Sequence, residues 1–334
     1  MSHYPHRYGA VAALLIALTV SGLFAQGPID LDPIATESQP DKKEPRLFRR
    51  PKQASPAEQF EYAQSLDVSG KHRKARRQYR ALVHQWHDSP EAAKAQRRYA
   101  ELLLENSDHE KAFDEFQYLV EYFAGEFPLE PILEEQYRIA NYVRTHRPKR
   151  FFFLRGSASP KRSLPLYELI VRNGPNWDRS REAQFYVGVI HENEKEYELA
   201  IAAYETLSLK YSLSAFVASA RFRRGHCLYK LSQRSPRDEE RCEKALTALL
   251  HFELDYPQDP NAPEAAAYAA EMKERLSRFY FDRADFYDRI ANRPRSAIIE
   301  YNDFIRHFPT SEKRDWIDQR IATLELQLNE HDRQ

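Results

Sequence analysis

From residue 55 onward one apolar pattern recurs: a small residue followed four positions later by a bulky ring. It appears as Ala75/Tyr79, Ala112/Phe116, Ser163/Tyr167, Ala200/Tyr204 and Ala297/Tyr301, with Ala245/Leu249 as an aliphatic version. Residues four apart lie on one helix face, a turn from each other. Two antiparallel helices approach closely only where a small side chain faces the partner, and the ring one turn later fills the space beyond. The intervals between successive small residues are 37, 51, 37, 45 and 52. Each is one helical-hairpin repeat of roughly 34 residues, or that repeat with an insertion.

Helix boundaries follow from local chemistry. At Ser55-Pro56-Ala57-Glu58 the serine can cap free amides, proline suits the first helical position, and the glutamate can close a capping box. Aromatic-proline pairs at Phe127-Pro128, Tyr256-Pro257 and Phe308-Pro309, with Tyr211-Ser212 in the same role, predict where one helix pair ends and the next begins. Between Ser311 and Asn329, Ile317, Ile321, Leu324 and Leu328 share one face with charges opposite, the pattern of a closing helix that shields the last repeat. The predicted fold over residues 55–334 is an all-α solenoid of about six helix pairs with a C-terminal capping helix.

Composition agrees with this. Nine glycines in 334 residues argue against sheets joined by tight turns, while 42% hydrophobic and 30% charged residues supply both a core and a wet surface. Lysine plus arginine equals aspartate plus glutamate at 50 each, so no global field draws the chain to nucleic acid. The chain has no phosphate-binding glycine loop, no Gly-x-Ser-x-Gly elbow and no His-Glu-x-x-His run, so a non-enzymatic protein without cofactor or metal is expected. His84 and His87, beside Trp86, read as a surface pair with no third ligand at metal spacing. His226 and Cys227 point about 100° apart on a helix and do not form a nucleophile pair.

The amino terminus obeys another grammar. Arg7 gives a short basic start, Ala10 to Ala25 is almost wholly apolar, and Gln26-Gly27-Pro28 breaks the run, as in an export signal over residues 1–25. The alternative is an uncleaved anchor, slightly short for a membrane span. No cysteine lies near the break, so lipid attachment at a new amino terminus is chemically excluded. Residues 26–54 carry Pro28, Pro33, Pro40, Pro45 and Pro51 among polar residues and read as a flexible tether.

Gln184, Val187, Gly188, Ala200, Tyr204 and Leu207 fall on signature positions of the tetratricopeptide family, without its leading tryptophan, and the likeness covers about residues 55–309. That resemblance implies a right-handed α-solenoid. The order of parts is more particular: export signal, tether, two regular pairs, an insertion-bearing third pair, then Leu276 to Phe281 before Ala297 to Tyr301 and Phe308 to Ser311. In this order the chain resembles the BamD family, the periplasmic tetratricopeptide components of the outer-membrane β-barrel assembly machinery, although that family's lipid-bearing cysteine is absent. The resemblance implies a periplasmic scaffold at the inner face of the outer membrane. Its amino-terminal repeats would receive unfolded barrel proteins, and its carboxy-terminal repeats would dock the barrel-inserting subunit. The rival reading is a periplasmic repeat adaptor of envelope constriction or peptidoglycan synthesis, although the prolines of residues 26–54 do not suit that family's usual coiled coil.

Motif spacing places Phe60, Gln64, Arg97, Tyr137, Asn141 and Arg144 on the inward face of the first helices, where aromatics and arginines could hold an aromatic side chain and a terminal carboxylate. The insertion at 147–162 sets Arg147, Lys149, Arg150 and Arg155 around Phe151, Phe152 and Phe153. Either it folds back on the acidic run from Asp114 to Glu135, or it meets a partner or membrane surface. Cys227 and Cys242 flank a turn near Ser235-Pro236; they form either a disulfide worth about 3 kcal/mol or two reduced core thiols.

Overall fold

The computed structural model describes residues 42–45, 50–146 and 160–331. The signal segment, most of the tether and residues 147–159 lie outside the described residues. Lys42–Gln334 forms one compact unit, and its described residues contain helices and no strand.

Six helix pairs follow one another: α1 (Pro56–Val68) with α2 (His72–Gln85), α3 (Pro90–Glu105) with α4 (His109–Tyr122), α5 (Leu129–Thr145) with α6 (Leu164–Asn173), α7 (Ser180–Asn193) with α8 (Tyr197–Lys210), α9 (Val217–Arg234) with α10 (Glu239–Asp255), and α11 (Ala262–Asp285) with α12 (Pro294–His307). A π-helical turn at Phe286–Ile290 follows α11, and α13 (Arg314–His331) closes the stack. Each helix packs chiefly on its neighbours in sequence, so the pairs stack in chain order as an α-solenoid.

The small-then-ring motif is the interior of that stack. Ala75, Ala112, Ser163, Ala200, Ala245 and Ala297 are all fully buried, and their partners Tyr79, Phe116, Tyr167, Tyr204, Leu249 and Tyr301 are no more than 2% exposed. Gly188 and Gly225 extend the rule to the facing helices. A Cβ at Gly188 would stand 2.4 Å from the Tyr204 ring, and one at Gly225 would stand 2.9 Å from Leu249.

Ser55 caps α1 as predicted, its hydroxyl accepting from the Glu58 N–H at 3.3 Å, with Pro56 in the first turn. The second helix of most pairs ends on an aromatic residue. The N–H groups of Trp86, Phe123, Tyr211, Tyr256 and Phe308 donate to the carbonyls of Leu82, Leu119, Leu207, Phe252 and Phe304 at 2.8–3.0 Å. The stop predicted at Phe127-Pro128 therefore corrects to Phe123, and Pro128 instead leads into α5.

Three of the turns inside a pair are built alike. Lys71 N–H donates to Leu66 O, Asp108 N–H to Leu103 O and Glu196 N–H to His191 O, each at 2.9 Å. This six-to-one bond requires a residue with positive φ before the donor. Gly70 supplies it at 72°, but Ser107 and Lys195 adopt 57° and 62° with a Cβ in place. Lys195→Gly is therefore expected to raise stability by about 0.5–1 kcal/mol; the midpoint of urea unfolding checks it.

Candidate interaction surfaces

Alternation of first and second helices gives the stack two kinds of groove. One, of about 360 Å³, runs between the first helices α3 and α5 and is floored by Phe116 of α4. Its walls carry Arg97, Arg98 and Glu101 on one side and Ile132, Glu135 and Arg138 on the other. The cations are already paired: Arg98 reaches Asp67 at 2.6 Å, Glu101 at 3.1 Å and Glu105 at 2.9 Å, while Arg97 pairs with Glu101 at 3.0 Å. Burial by itself would raise the Asp67 carboxyl, but hydrogen bonds from Arg98 and His72 outweigh it and hold its pKa below the ordinary value. An arriving carboxylate would exchange partners on these arginines rather than meet bare charge.

The residues predicted for the inner face do not form one patch. Phe60 is half-buried with its ring 5.7 Å from Tyr79, Gln64 is exposed on α1, and Arg97 lies over the Phe127 ring at 5.4 Å. Tyr137 is 3% exposed, edge-on to Tyr167 and Trp177 at 6.2 and 5.9 Å, and so belongs to the core. Asn141 and Arg144 are tied to Tyr167, whose hydroxyl donates to Asn141 Oδ1 at 2.8 Å and accepts from Arg144 Nε at 3.1 Å. Arg144 also covers the Tyr186 ring at 4.1 Å. Three of the predicted contacts thus hold the junction of α5, α6 and α7 together.

Of the basic insertion, Arg147, Lys149, Arg150, Phe151, Phe152, Phe153 and Arg155 lie outside the described residues. Its described end pairs within the molecule, Lys161 with Glu196 at 2.6 Å and Arg162 with Glu110 at 2.6 Å. Neither acid belongs to the acidic run from Asp114 to Glu135, because the stack brings other turns alongside.

The two cysteines form no disulfide. Both are buried free thiols in different clusters, Cys227 with Ala200, Tyr204 and Leu207, and Cys242 with Met272 and Leu276. Facing opposite neighbours explains why equal distance from the turn does not bring them together. Burial, with Glu192 nearby, pushes the Cys227 thiol up, and burial raises Cys242 despite Arg275. The His226 imidazole turns from Cys227 and places Nδ1 3.0 Å from Glu192. Among the described residues no three His, Cys, Asp or Glu side chains converge as metal ligands, and no helix is long and apolar enough to cross a membrane.

One feature that residue spacing could have disclosed is a set of buried glutamines. Gln59, Gln96 and Gln184 each stand sixteen residues before a small motif residue, Ala75, Ala112 or Ala200. Each Nε2 donates across its own pair to a backbone carbonyl, Gln78 at 3.2 Å, Glu115 at 2.8 Å and Ala203 at 3.0 Å. Two of the amide oxygens accept from neighbouring chain. Gln59 Oε1 accepts from the N–H groups of Lys52 and Gln53 at 2.8 and 3.0 Å, and Gln96 Oε1 accepts from Lys43 Nζ at 3.0 Å.

Lys43 belongs to the stretch read as a tether, and with Glu44 it bonds to side chains of α2, α3 and α4. Its Nζ pairs with Glu115 and sits over the Tyr118 ring at 4.0 Å. Lys43 N–H donates to Tyr118 Oη at 2.8 Å, Glu44 O accepts from His84 Nδ1 at 2.7 Å, and Lys42 pairs with Asp88 at 2.7 Å. The surface histidine pair corrects accordingly. His84 is 3% exposed, and His87 stacks on Phe123 at 4.8 Å with Nε2 2.8 Å from Tyr118 Oη.

Burial lowers the His87 pKa, and Lys42 and Lys43 lower it further against Asp88. The other rings around it are those of Tyr118, Tyr122 and Phe123. Because the docked lysines depress this pKa below that of the undocked ring, docking is at full strength above the undocked value and weakens as pH falls through the lower docked one. The His87 ring-proton titration should have its midpoint below the ordinary histidine value, moving upward in Lys43→Ala.

Residues 61–129, from within α1 to the start of α5, match the tetratricopeptide repeat family. No curated protein matches the chain in sequence. Among solved structures, a tetratricopeptide repeat protein from Parabacteroides merdae is 11% identical, with 81% of this chain and 98% of that one covered and a TM-score of 0.28. The C-terminal part of a repeat-containing protein from Cytophaga hutchinsonii is 15% identical, covering 80% and 88%, with a TM-score of 0.30. The TPR2AB domain of yeast Sti1, in a pHSP90 complex, is 13% identical, covering 81% and 98%, with a TM-score of 0.25. Tetratricopeptide repeats are typically non-catalytic scaffolds of protein–protein interaction, and it is residues 61–129 of this chain that are similar to them.

Proposed function

We propose that this chain is a periplasmic scaffold of outer-membrane β-barrel assembly, holding unfolded barrel proteins on its amino-terminal pairs and the barrel-inserting subunit on its carboxy-terminal pairs. The observation that carries the scaffold reading is the stack itself. Six pairs whose rings are spent on internal packing leave helix faces and grooves, such as that between α3 and α5, as the working surface. The envelope assignment adds the order of parts along the chain: an apolar run at residues 10–25, a proline-bearing stretch, and the repeats. Copurification tests it. Full-length tagged chain drawn from envelope extracts should bring the barrel-inserting subunit with it; recovery of cell-division or peptidoglycan-synthesis proteins instead would favour the adaptor reading and overturn this one.

A further inference from the structure

We propose that the cleft between α2 and α4, floored by α3, is a binding site for an extended, lysine-bearing peptide, and that Lys42–Pro45 occupies it in cis as a displaceable plug. The inference rests on the seating of that segment and is independent of the envelope reading.

The contacts divide into two kinds. Two involve backbone and are indifferent to side chain: Tyr118 Oη receives the Lys43 N–H at 2.8 Å, and His84 Nδ1 donates to Glu44 O at 2.7 Å. With the segment seated, His84 is 3% and Tyr118 5% exposed, and Tyr118 is also held from within the fold, its hydroxyl 2.8 Å from His87 Nε2 and its ring stacked on Tyr122 at 4.4 Å. The others select an ammonium group. Glu115 supplies the counter-charge, Gln96 Oε1 accepts at 3.0 Å, and the faces of Tyr118 and Tyr99 lie 4.0 and 5.8 Å from Lys43 Nζ. A carboxylate, an amide oxygen and an aromatic face around one cation form a lysine seat, in which the side chains of Lys43 and Glu115 are only 15% and 16% exposed. Backbone bonds that fix an extended strand, beside a pocket for one side chain, are the general means by which a groove reads a peptide.

The cleft recognises chemistry carried by any extended strand with lysine at the right position, and its own chain supplies one at high effective concentration. A partner segment must outcompete that plug, so occupancy in trans depends on freeing the plug first. Loss of the Lys43 contacts does this without altering the cleft.

The experiment uses the full-length chain and a fluorescent peptide copying residues 41–48, DKKEPRLF. Anisotropy should show the peptide binding the Lys43→Ala protein about tenfold or more tightly than the intact protein. Adding Glu115→Gln should weaken that binding about tenfold, as should replacing the peptide's second lysine by norleucine. In the intact protein the Lys43 amide should be protected from hydrogen exchange, and Tyr118→Phe should remove the protection. Equal peptide affinity for intact and Lys43→Ala proteins overturns the proposal, as does indifference to the peptide's lysine, which tests the seat without altering the protein. Self-association of the intact protein that disappears in Lys43→Ala would assign the cleft to a second copy's segment and overturn the cis arrangement.

Discussion

Truncating Tyr204 to alanine is expected to lower the unfolding free energy by about 3–5 kcal/mol, and Tyr204→Phe by about 1.5 kcal/mol. The ring is fully buried against Gly188, which is glycine because any Cβ there would overlap it. Removing the ring opens a cavity that two backbones already in close approach cannot collapse to fill. Its hydroxyl does separate work, donating to Glu192 Oε2 at 2.7 Å beside Arg223 at 2.9 Å and His226 at 3.0 Å. Burial would raise the Glu192 carboxyl, but the bonds from His226, Tyr204 and Arg223 prevail and hold it below its usual 4.5.

Linkage then fixes the sign of the pH effect. A carboxyl whose folded pKa is depressed adds stability that is complete above the unfolded value and disappears as pH falls through the folded one. Tyr204→Phe removes one of the three groups that depress it, so the variant should lose less stability on acidification than the parent. Because each pair leans only on its neighbours, the damage in Tyr204→Ala should stay local. Hydrogen exchange should accelerate in α7 to α9 and remain unchanged in α1 to α4. Uniform acceleration across the chain would contradict the nearest-neighbour account.

The same residue shows what the sequence discloses and where it stops. Tyr204 was legible because its requirement is local: a ring four residues after a small side chain needs nothing from distant chain to be recognised as interior. All six such pairs, the Ser55 cap and the closing helix follow from this kind of rule. Tyr137 fails it. It belongs to an apolar stripe with Leu133 and Ala140, and spacing alone does not say whether the edge of a stripe faces a groove or the next helix pair. Cys227 and Cys242 fail for a related reason, since their distance from the turn is legible but the neighbour each faces depends on how α8 and α11 stack on their pair. His84 and the lysine seat were beyond reach, because the partner is 40 residues away in a stretch whose composition gives no packing signal. The glutamines were within reach; a polar residue at fixed distance before each small residue is a repeat like any other, but polar repeats draw less notice than apolar ones.

Replacing Arg320 by alanine is expected to release the carboxy-terminal helix at a loss of about 2–3 kcal/mol. Asp288, in the π-helical turn after α11, is 6% exposed, and it accepts from Arg320 Nε at 2.8 Å and Nη2 at 2.7 Å. A third bond comes from the Tyr301 hydroxyl at 3.1 Å, which ties the latch to the ring of the last pair. A two-pronged guanidinium contact holds both distance and orientation, so α13 is fixed in register as well as in place. Without Arg320 the carboxylate is left buried with the tyrosine as its remaining hydrogen-bond donor, and the solenoid's end loses its cover. Arg320 holds the Asp288 pKa below the ordinary carboxylate value against burial, with Tyr301 assisting. The latch is therefore complete above about pH 4 and fails as pH drops through the depressed value. Trp316, 5.9 Å from Tyr301 and 5.7 Å from Phe281, reports the event through its fluorescence once the chain's other two tryptophans, Trp86 and Trp177, are replaced by phenylalanine. Acid should shift Trp316 emission toward that of exposed indole before the other pairs melt, and Arg320→Ala should show the shifted emission at neutral pH. A variant whose α13 amides exchange as slowly as the parent's would show that apolar contacts at Ile317 and Leu324 hold the cap without the ion pair.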